Sequence, residues 1–452
     1  MSDSTEQLAA LGTAIPEISL PREDVDLQKW AVIACDQFTQ DPAYWEDAAK
    51  LVGASPSTLN LILPERYLND AHRPELVEGI HQTMAVYLAE GGLAPPIRGC
   101  VYIERSTPYH QRRRGLVLSI DLEHYDWKPG SQTLIRSTEG TVPERITPRM
   151  AIRQSAPLET PHILLLIDDE ADYLIPALGE RAKKAPPLYH TPLMFGAGDI
   201  SGWALDNETD WAVLAEGLEE LARRSETRYG ELGGPGGAAA WNPPFLYAMG
   251  DGNHSLATAK AVWDEYKQAH SGDPDLERHP ARYALVELEN IYDPGIAFEP
   301  IHRVIFGAHL EDVRAALSEL PGFASRSVTG TEELSQLVAG KAEGNRYGLI
   351  GEGRYILAET GAAGIATEGL QALLDEFTRN GAGIDYIHGE EELFRIAEAG
   401  GEKPAVGILL PPVKKAGLFQ TVARSGPLPR KSFSMGEAVE KRFYLECRRL
   451  FS

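Results

Sequence analysis

Apolar residues in this chain follow strand-type and helix-type patterns in turn. Residues 30–35 form a short apolar run that predicts a buried strand, and Asp41 with Pro42 then supplies an N-cap and a first-turn proline for a helix. Residues 162–167 are almost continuously aliphatic, which is typical of a central strand. Helical spacing over 74–88 and 209–229 lies between such strands, so the sequence predicts an α/β fold of the α+β type.

A second unit is predicted after residue 308, where the pattern restarts as helix, paired strands, helix, strand and helix. We therefore expect a tail at residues 1–20, a core at 21–308 and a C-terminal α/β domain at 309–452. Within that domain we expect a proline-bounded loop to return to the functional site.

The expected returning loop is residues 427–434, in which prolines restrict the backbone and hold Arg430 and Lys431 in a defined direction. Directly after it, residues 434–437 fit the capping-box pattern. This pattern predicts a helix that carries Phe443 on its apolar face.

Charge narrows the range of partners. The 452 residues include 43 Lys and Arg against 66 Asp and Glu, which gives a net charge of −23 with His neutral. Because binding to nucleic acid or to an anionic membrane needs clustered cations, the net charge disfavours both as partners. DNA binding stays open only if residues 112–114, three arginines in a polar turn, form a local patch. No apolar stretch approaches the ~20 residues that span a bilayer, and no signal-peptide pattern begins the chain, so we expect a soluble cytoplasmic protein.

Residues 250–254 carry the clearest chemical signal. An apolar strand at 245–249 runs into Gly250 and Gly252, and a helix is predicted from Ser255. Glycine lets the backbone turn sharply and approach a ligand, while the start of a helix presents unpaired N–H groups and the positive end of its dipole. The segment therefore has the outline of an anion-binding site.

The polar residues of this turn suggest roles and an alternative. Asp251 would hold a metal or take a proton from an alcohol, and His254 would neutralise a phosphate or act as acid or base. The alternative is a tight structural turn in which Asn253 is the helix N-cap and the other side chains bond the loop.

Other candidates have weaker signals. His302 and Arg303 lie in an otherwise apolar predicted strand, so they need polar partners. Arg303 would either pair with Glu287 or Glu289 on the neighbouring strand or clamp a phosphate or carboxylate. Arg149 is one of three arginines at helical spacing.

The turn after the first predicted strand carries Asp36 and Gln37 beside Cys35. Cys35 is a candidate thiol nucleophile, but nothing nearby in sequence would lower its pKa, which favours a buried structural cysteine.

The chain also resembles known families. Residues 250–259 resemble the Asp-Gly-x-His-Arg motif, followed by a small-residue helix, of the ParB/sulfiredoxin superfamily. The wider sequence resembles bacterial proteins of the domain of unknown function 1015 family. The segments that carry this wider resemblance occur in order along the chain: 34–39, 44–46, 61–64, 144–149, 161–165, 250–254, 299–303 and 429–432. The resemblance implies a ParB/sulfiredoxin-like mixed-sheet core.

The superfamily resemblance implies roles for single residues. Its members include free-serine kinases, a cysteine-sulfinate reductase and a CTP-dependent DNA clamp, and their strand–turn–helix element looks like a nucleotide phosphate cradle. By this resemblance, Asp251, Asn253 and His254 act at the phosphates, and Asp36 is the base toward a hydroxyl. Ser255 stands where the superfamily usually has Arg, so a phosphate-binding cation is missing. Four residues are candidates to replace it: Arg149, Arg303, Arg430 and Lys431.

The favoured hypothesis is a small-molecule phosphotransferase that moves a phosphoryl group from ATP, ADP or pyrophosphate to an amino-acid hydroxyl, with free serine the first candidate. Further contacts are expected for residues assigned to phosphate, Gly250, Gly252 and Ser255, and for residues assigned to substrate, Gln37, Glu287 and His302. Mg²⁺ held by Asp251 is the expected metal. The alternatives are a nucleotide-binding switch of the ParB type without turnover, a sulfur-chemistry enzyme using Cys35, and a structural scaffold. The sequence leaves a homodimer open.

Overall fold

A computed structural model gives the structure of the protein and describes residues 3–128, 130–232, 243–361, 364–399 and 404–451. The chain divides into two compact units, one formed by Met1–Ile296 with Glu437–Ser452 and the other by Ala297–Gly436. This division differs from the expected one, since it falls before residue 308 and the last residues of the chain belong to the first unit.

The first unit contains elements from both ends of the chain. Its helices are α1 (Asp3–Ala10), α2 (Leu27–Trp30), α3 (Pro42–Val52), α4 (Arg73–Ala89), α5 (Ile146–Arg153), α6 (Leu174–Ala182), α7 (Glu208–Tyr229) and α8 (Asn253–Ala269). Its first strands are β1 (Thr13–Ala14), β2 (Glu17–Ile18), β3 (Val32–Ile33), β4 (Ile97–Arg98), β5 (Cys100–Arg105), β6 (Arg113–Asp121), β7 (Ile135–Arg136), β8 (Leu158–Glu159), β9 (Leu164–Ile167), β10 (Tyr189–Pro192), β11 (Asp199–Leu205), β12 (Tyr247–Asp251) and β13 (Tyr283–Asn290). Residues 1–20, expected to be a tail, thus include a helix and two short strands.

The second unit alternates helices with antiparallel strands. Its strands are β14 (Phe298–Phe306), β15 (Ala324–Val328), β16 (Asn345–Gly351), β17 (Arg354–Thr360), β18 (Gly383–His388), β19 (Ala405–Leu409) and β20 (Phe433–Met435). Its helices are α9 (Leu310–Leu317), α10 (Thr331–Ala339), α11 (Ala366–Arg379), α12 (Glu390–Glu398) and α13 (Leu418–Ser425). The chain then returns to the first unit through β21 (Phe443–Tyr444) and β22 (Arg448–Arg449).

The main sheet of the first unit is mixed. Its strand order is β10-β11-β5-β6-β13-β9-β12-β7, with β1 also pairing with β6. The pairs β13–β9 and β12–β7 are parallel, while β12–β9 and the pairs on the other side of β13 are antiparallel. β9 lies inside this sheet and all its residues are buried, as its continuous aliphatic run predicts. The mixed sheet with its helices confirms the α+β class.

The sheet of the second unit has the order β15-β17-β16-β19-β14-β18, with β20 also pairing with β14. Adjacent residues of its strands enter different apolar clusters: Ile305 and Ile408 pack with α9 and α11, whereas Val304 and Leu409 pack with α10 and α12. Because successive side chains of a strand point to opposite faces, helices cover both faces of this sheet.

Local sequence signals explain several elements. The carboxylate of Asp41 accepts the N–H groups of Ala43 and Tyr44, and Pro42 occupies the first turn, so α3 begins where the sequence predicts. None of the helices in the described residues is both long and apolar enough to cross a bilayer.

One local prediction is wrong, and the condition under which DNA binding stayed open is not met. Residues 434–437 do not begin an α-helix, because a short 3-10 turn at Ala438–Glu440 is followed by β21, which pairs with β3. Nor do residues 112–114 form a surface patch. Arg113 and Arg114 lie buried in β6, where Arg113 pairs with Glu289 and Arg114 pairs with two aspartates.

Candidate functional site

The candidate site is built on the turn between β12 and α8. Gly252 has a left-handed backbone with φ +83°, and a Cβ on it would lie 3.1 Å from the Cα of Ile163. Both features favour glycine, as the sequence predicts for a sharp turn. Gly252 is the N-cap of α8, and no side chain of the described residues caps this helix. The interpretation of Asn253 as the N-cap is therefore wrong, and its buried Oδ1 has no hydrogen-bond partner among the described residues.

Asp251 closes β12 and meets a lysine that sequence reasoning missed. Its Oδ1 accepts the N–H of Gly252 at 2.9 Å, and its Oδ2 lies 3.1 Å from Nζ of Lys441. Burial works to raise the pKa of Asp251, but the charge and hydrogen bond of Lys441, the Gly252 N–H and His162 outweigh it, so the pKa is lowered. Asp251 therefore stays ionised and holds the ammonium group beside the uncapped helix.

A chain of hydrogen bonds links this turn to the segment of Asp36. The hydroxyl of Ser255 lies 2.7 Å from Nε2 of His162, and Nδ1 of the same ring lies 2.7 Å from the hydroxyl of Tyr444. The backbone N–H of Cys35 donates to that hydroxyl at 3.1 Å. The structure thus brings Ser255 and the segment of Cys35 and Asp36 together through His162 and Tyr444.

The segment with Asp36 also approaches Arg149. Asp36 accepts a hydrogen bond from Gln37 at 2.9 Å. The carbonyl of Cys35 accepts the N–H of Glu65, and Glu65 in turn accepts the guanidinium of Arg149 with Nε at 2.9 Å. Since α5, which carries Arg149, packs against α8, these groups surround one region of the first unit.

Cys35 has the wrong electrostatics for a nucleophile. Burial raises the pKa of its thiol far above the ordinary value, and the neighbouring charges of Asp36 and Glu65 raise it further. A thiolate is thus strongly disfavoured, in line with the interpretation of Cys35 as a structural cysteine.

His254 occupies the first turn of α8. Its Nε2 lies 3.4 Å from the backbone N–H of Val142, which donates to it. This ring nitrogen is therefore an acceptor in the present structure, and the imidazole lies against the loop that leads into α5.

Lys441 is positioned by buried arginines. Arg105 donates to the carbonyl oxygens of Val439, Glu440 and Lys441, and Arg113 donates to that of Glu440. β21 follows at once and pairs with β3, next to Cys35 and Asp36. The segment 439–444 is thereby fixed between the two parts of the site.

Glu287 lies in the same buried cluster. It is 3% exposed and pairs with Arg442, which also pairs with Glu446. Arg442 and Arg113 lower the pKa of Glu287 despite its burial, which by itself would raise it. In the structure, Glu287 thus holds an arginine of the C-terminal segment.

The remaining predicted residues belong to the second unit. Arg303 is fully buried, with its guanidinium 4.5 Å from the ring centroid of Tyr386, and His302 accepts the N–H of Leu410. The prediction that the strand of Arg303 lies beside the strand of Glu287 and Glu289 is wrong, because β14 pairs with β18, β19 and β20. Two further predicted cations, Arg430 and Lys431, are exposed in the turn before β20. Contacts of these second-unit residues with a phosphate remain predictions.

The residues of the turn do not form a ready Mg²⁺ site. No group of three or more His, Cys, Asp or Glu side chains that could hold a metal occurs within the described parts of the chain. Asp251 already bonds Gly252 and Lys441, and an ammonium group 3.1 Å away would repel a dication. We therefore derive no step through a protein-held magnesium ion.

Several solved structures are distantly similar to the chain. Among solved structures, the chain is similar to a free serine kinase in complex with AMP, at 13% identity, a TM-score of 0.36, and coverage of 74% of this chain and 92% of the kinase. It is also similar to a conserved hypothetical protein from Pyrococcus furiosus (13% identity, TM-score 0.35, coverage 73% and 94%) and to SbnI with a C-terminal truncation from Staphylococcus aureus (9%, 0.34, 73% and 82%).

A search of curated proteins found none that matches the chain. The family described as "Protein of unknown function (DUF1015)" matches residues 16–376, which is most of the sequence. The chain therefore belongs to the DUF1015 family.

Proposed function

We propose that the protein is a small-molecule phosphotransferase that moves a phosphoryl group from ATP, ADP or pyrophosphate to the hydroxyl of a free amino acid, with serine the first candidate. The observation that carries the proposal is the uncapped start of α8 at Gly252 with the ammonium group of Lys441 beside it. Backbone N–H groups and a cation at one helix N-terminus are the groups that bind phosphate oxygens.

In this proposal, Lys441 supplies the cation that is missing at Ser255. The superfamily motif has Arg at that position, and without it the turn lacks a cation of its own. Lys441 comes from the C-terminal segment, and its side chain is only 8% exposed, so its charge acts in a medium of low polarity. In the proposed complex, its ammonium group contacts the donor phosphates from its place beside Asp251, and His254 adds a hydrogen bond or a second charge.

Asp36 is the proposed base. It lies one residue from Cys35, whose backbone is tied to Tyr444, His162 and Ser255. In the transfer step, the acceptor hydroxyl oxygen forms a bond to phosphorus and its proton goes to the carboxylate of Asp36. The bond from phosphorus to the leaving oxygen breaks, and that oxygen keeps the electron pair. Such a reaction depends mainly on positioning and on neutralising charge.

Two measurements on the same protein test this proposal. Calorimetry gives the affinity for ATP, ADP and pyrophosphate, and mass spectrometry detects phosphorylated amino acids after incubation with Mg²⁺ and each donor. Binding together with phosphoserine supports the proposal. Absence of product with every donor, alongside an Asp251→Asn variant that binds nucleotide normally, would overturn it. Tight binding without product over hours would instead support a nucleotide-responsive switch.

A further inference from the structure

The second unit contains a cavity of its own, of about 520 Å³. Its wall is made by the end of α10 with the loop that follows, the start of α11, residues 410–414 and one side of α13. This volume lies within the range of small-molecule binding sites, ~300–1,000 Å³. All of the residues that line it belong to the second unit.

Cations dominate the charged residues of the lining. Lys341, Arg346, Lys414 and Arg424 line the cavity, whereas Glu343 is its one acidic lining residue. Arg346 pairs with Glu359 on the adjacent strand. Within the described residues, Lys341, Lys414 and Arg424 form no ion pair, although the chain as a whole carries a net charge of −23.

Four other arginines of the same unit pair with a carboxylate of the unit: Arg314, Arg326, Arg354 and Arg395. Lys341, Lys414 and Arg424 have no such pair within the described part of the chain, although Glu343 also lines the cavity. A cleft lined by charge of one sign concentrates its field and attracts the opposite charge.

The rest of the lining offers both polar and apolar contacts. Hydroxyl groups line it at Thr367, Thr421 and Ser432, which are at least 95% buried. Thr367 donates to Ser432 and Ser432 donates to the carbonyl of Pro429, so these two hydroxyls offer acceptor oxygens. Apolar lining residues include Val338 and Leu410. A lining with apolar walls and a few convergent polar groups is typical of a site for an organic molecule.

We propose that this cavity binds a small organic anion, whose phosphate or carboxylate groups contact Lys341, Lys414 and Arg424 while its apolar part packs on the aliphatic wall. Phosphate and carboxylate share the chemistry that these cations recognise, and a bidentate contact with Arg424 suits either group. The site is built from residues of the second unit alone, and its proposed ligand does not depend on the phosphotransferase function.

Calorimetry on the full chain tests the proposal with phenyl phosphate and phthalate, which pair a phosphate or two carboxylates with the same apolar ring. We expect at least one of them to bind with a Kd below about 10 mM, a range that covers weak small-molecule sites. The double variant Lys414→Gln with Arg424→Gln, both at exposed positions, should raise the Kd at least tenfold, which corresponds to about 1.4 kcal/mol of binding free energy.

Two controls separate this site from others. The double variant Arg379→Gln with Arg395→Gln removes two exposed charges of the same unit outside the cavity and should leave the Kd within twofold. Lys441→Gln removes the cation at the turn at Gly252, so a probe whose binding it weakens, while the Lys414 and Arg424 variant does not, is bound at that turn, which also overturns the proposal. The proposal is overturned if neither probe binds the wild-type protein, if the Lys414 and Arg424 variant binds as tightly, or if the Arg379 and Arg395 control weakens binding equally.

Discussion

A buried charge cluster in the first unit predicts an unusual pH dependence of stability. Seven ionisable side chains of this cluster are at most 4% exposed: Arg105, Arg113, Arg442, Glu287, Glu289, Glu440 and Glu446. These side chains comprise three guanidinium groups and four carboxyl groups. Their net charge is zero when one carboxyl group carries a proton. Glu289 is the acid expected to carry it, because it is fully buried and its neighbour Glu287 holds the charge opposite Arg442.

The magnitude follows from the pKa of Glu289. Burial raises this pKa to about 8, and the charge of Glu287 adds to the rise, while Arg113 opposes it. In the unfolded chain a glutamate titrates near ~4.3. Between these two pKa values the folded protein holds a proton that the unfolded chain releases, so the free energy of unfolding falls as pH rises. Titration of this one group from pH ~6 to ~8 removes about 2 kcal/mol.

The assay is urea denaturation of the wild type and of Glu289→Gln at both pH values. Glutamine has the shape of a protonated glutamate and does not ionise, so the variant should gain about 2 kcal/mol relative to the wild type between pH ~6 and ~8. Glu287→Gln breaks a buried ion pair and should cost about 3–5 kcal/mol at pH ~6. Because it also removes a charge that raises the pKa of Glu289, this variant should lose less stability than the wild type between pH ~6 and ~8. If the free energies of unfolding of the wild type and Glu289→Gln differ by the same amount at both pH values, Glu289 is ionised in the folded protein and its pKa is not raised.

Three further predictions concern the site and its support. Gly252→Ala forces a Cβ into a left-handed position beside Ile163 and should lower the free energy of unfolding by about 1–2 kcal/mol in urea, and an unchanged value would contradict the assigned backbone. Arg442→Met leaves two buried glutamates without their cation and should cost about 3–5 kcal/mol in the same assay, whereas a loss below about 1 kcal/mol would mean that the cluster is solvated. Lys441→Gln should weaken nucleotide binding at least tenfold by calorimetry, with Lys260→Gln on α8 as a control that binds normally, and equal affinities of all three proteins would exclude Lys441 from the phosphate site.

Local signals in the sequence were enough to predict many elements. The cap and proline of α3, the aliphatic run of β9 and the glycines before α8 each act on their own segment, so residues within one turn or strand determine the outcome. The position of Gly252 in the candidate site is predictable for the same reason.

The C-terminal segment could not be predicted in this way. The capping box predicted at 434–437 does not form, and a reciprocal capping box forms three residues later, between Glu437 and Glu440. Only a short 3-10 turn follows, after which Arg105 bonds backbone carbonyls more than 330 positions away in the sequence and β21 pairs with β3. Only tertiary structure brings Lys441 to Asp251, and no spacing in the sequence signals a contact of that range.

Transfer of a labelled phosphoryl group to free serine is the direct test of phosphotransferase activity. The wild-type protein is incubated with free serine, Mg²⁺ and ATP, ADP or pyrophosphate carrying the label, and phosphoserine is measured over time beside Asp36→Asn and the surface control Asp47→Asn. We predict labelled phosphoserine from the wild type and the Asp47 control, and a loss of at least ~100-fold in rate for Asp36→Asn with nucleotide binding retained. The absence of labelled product from every donor would contradict the proposed phosphotransferase activity. An Asp36→Asn variant as fast as the wild type would contradict the role of Asp36 as the base.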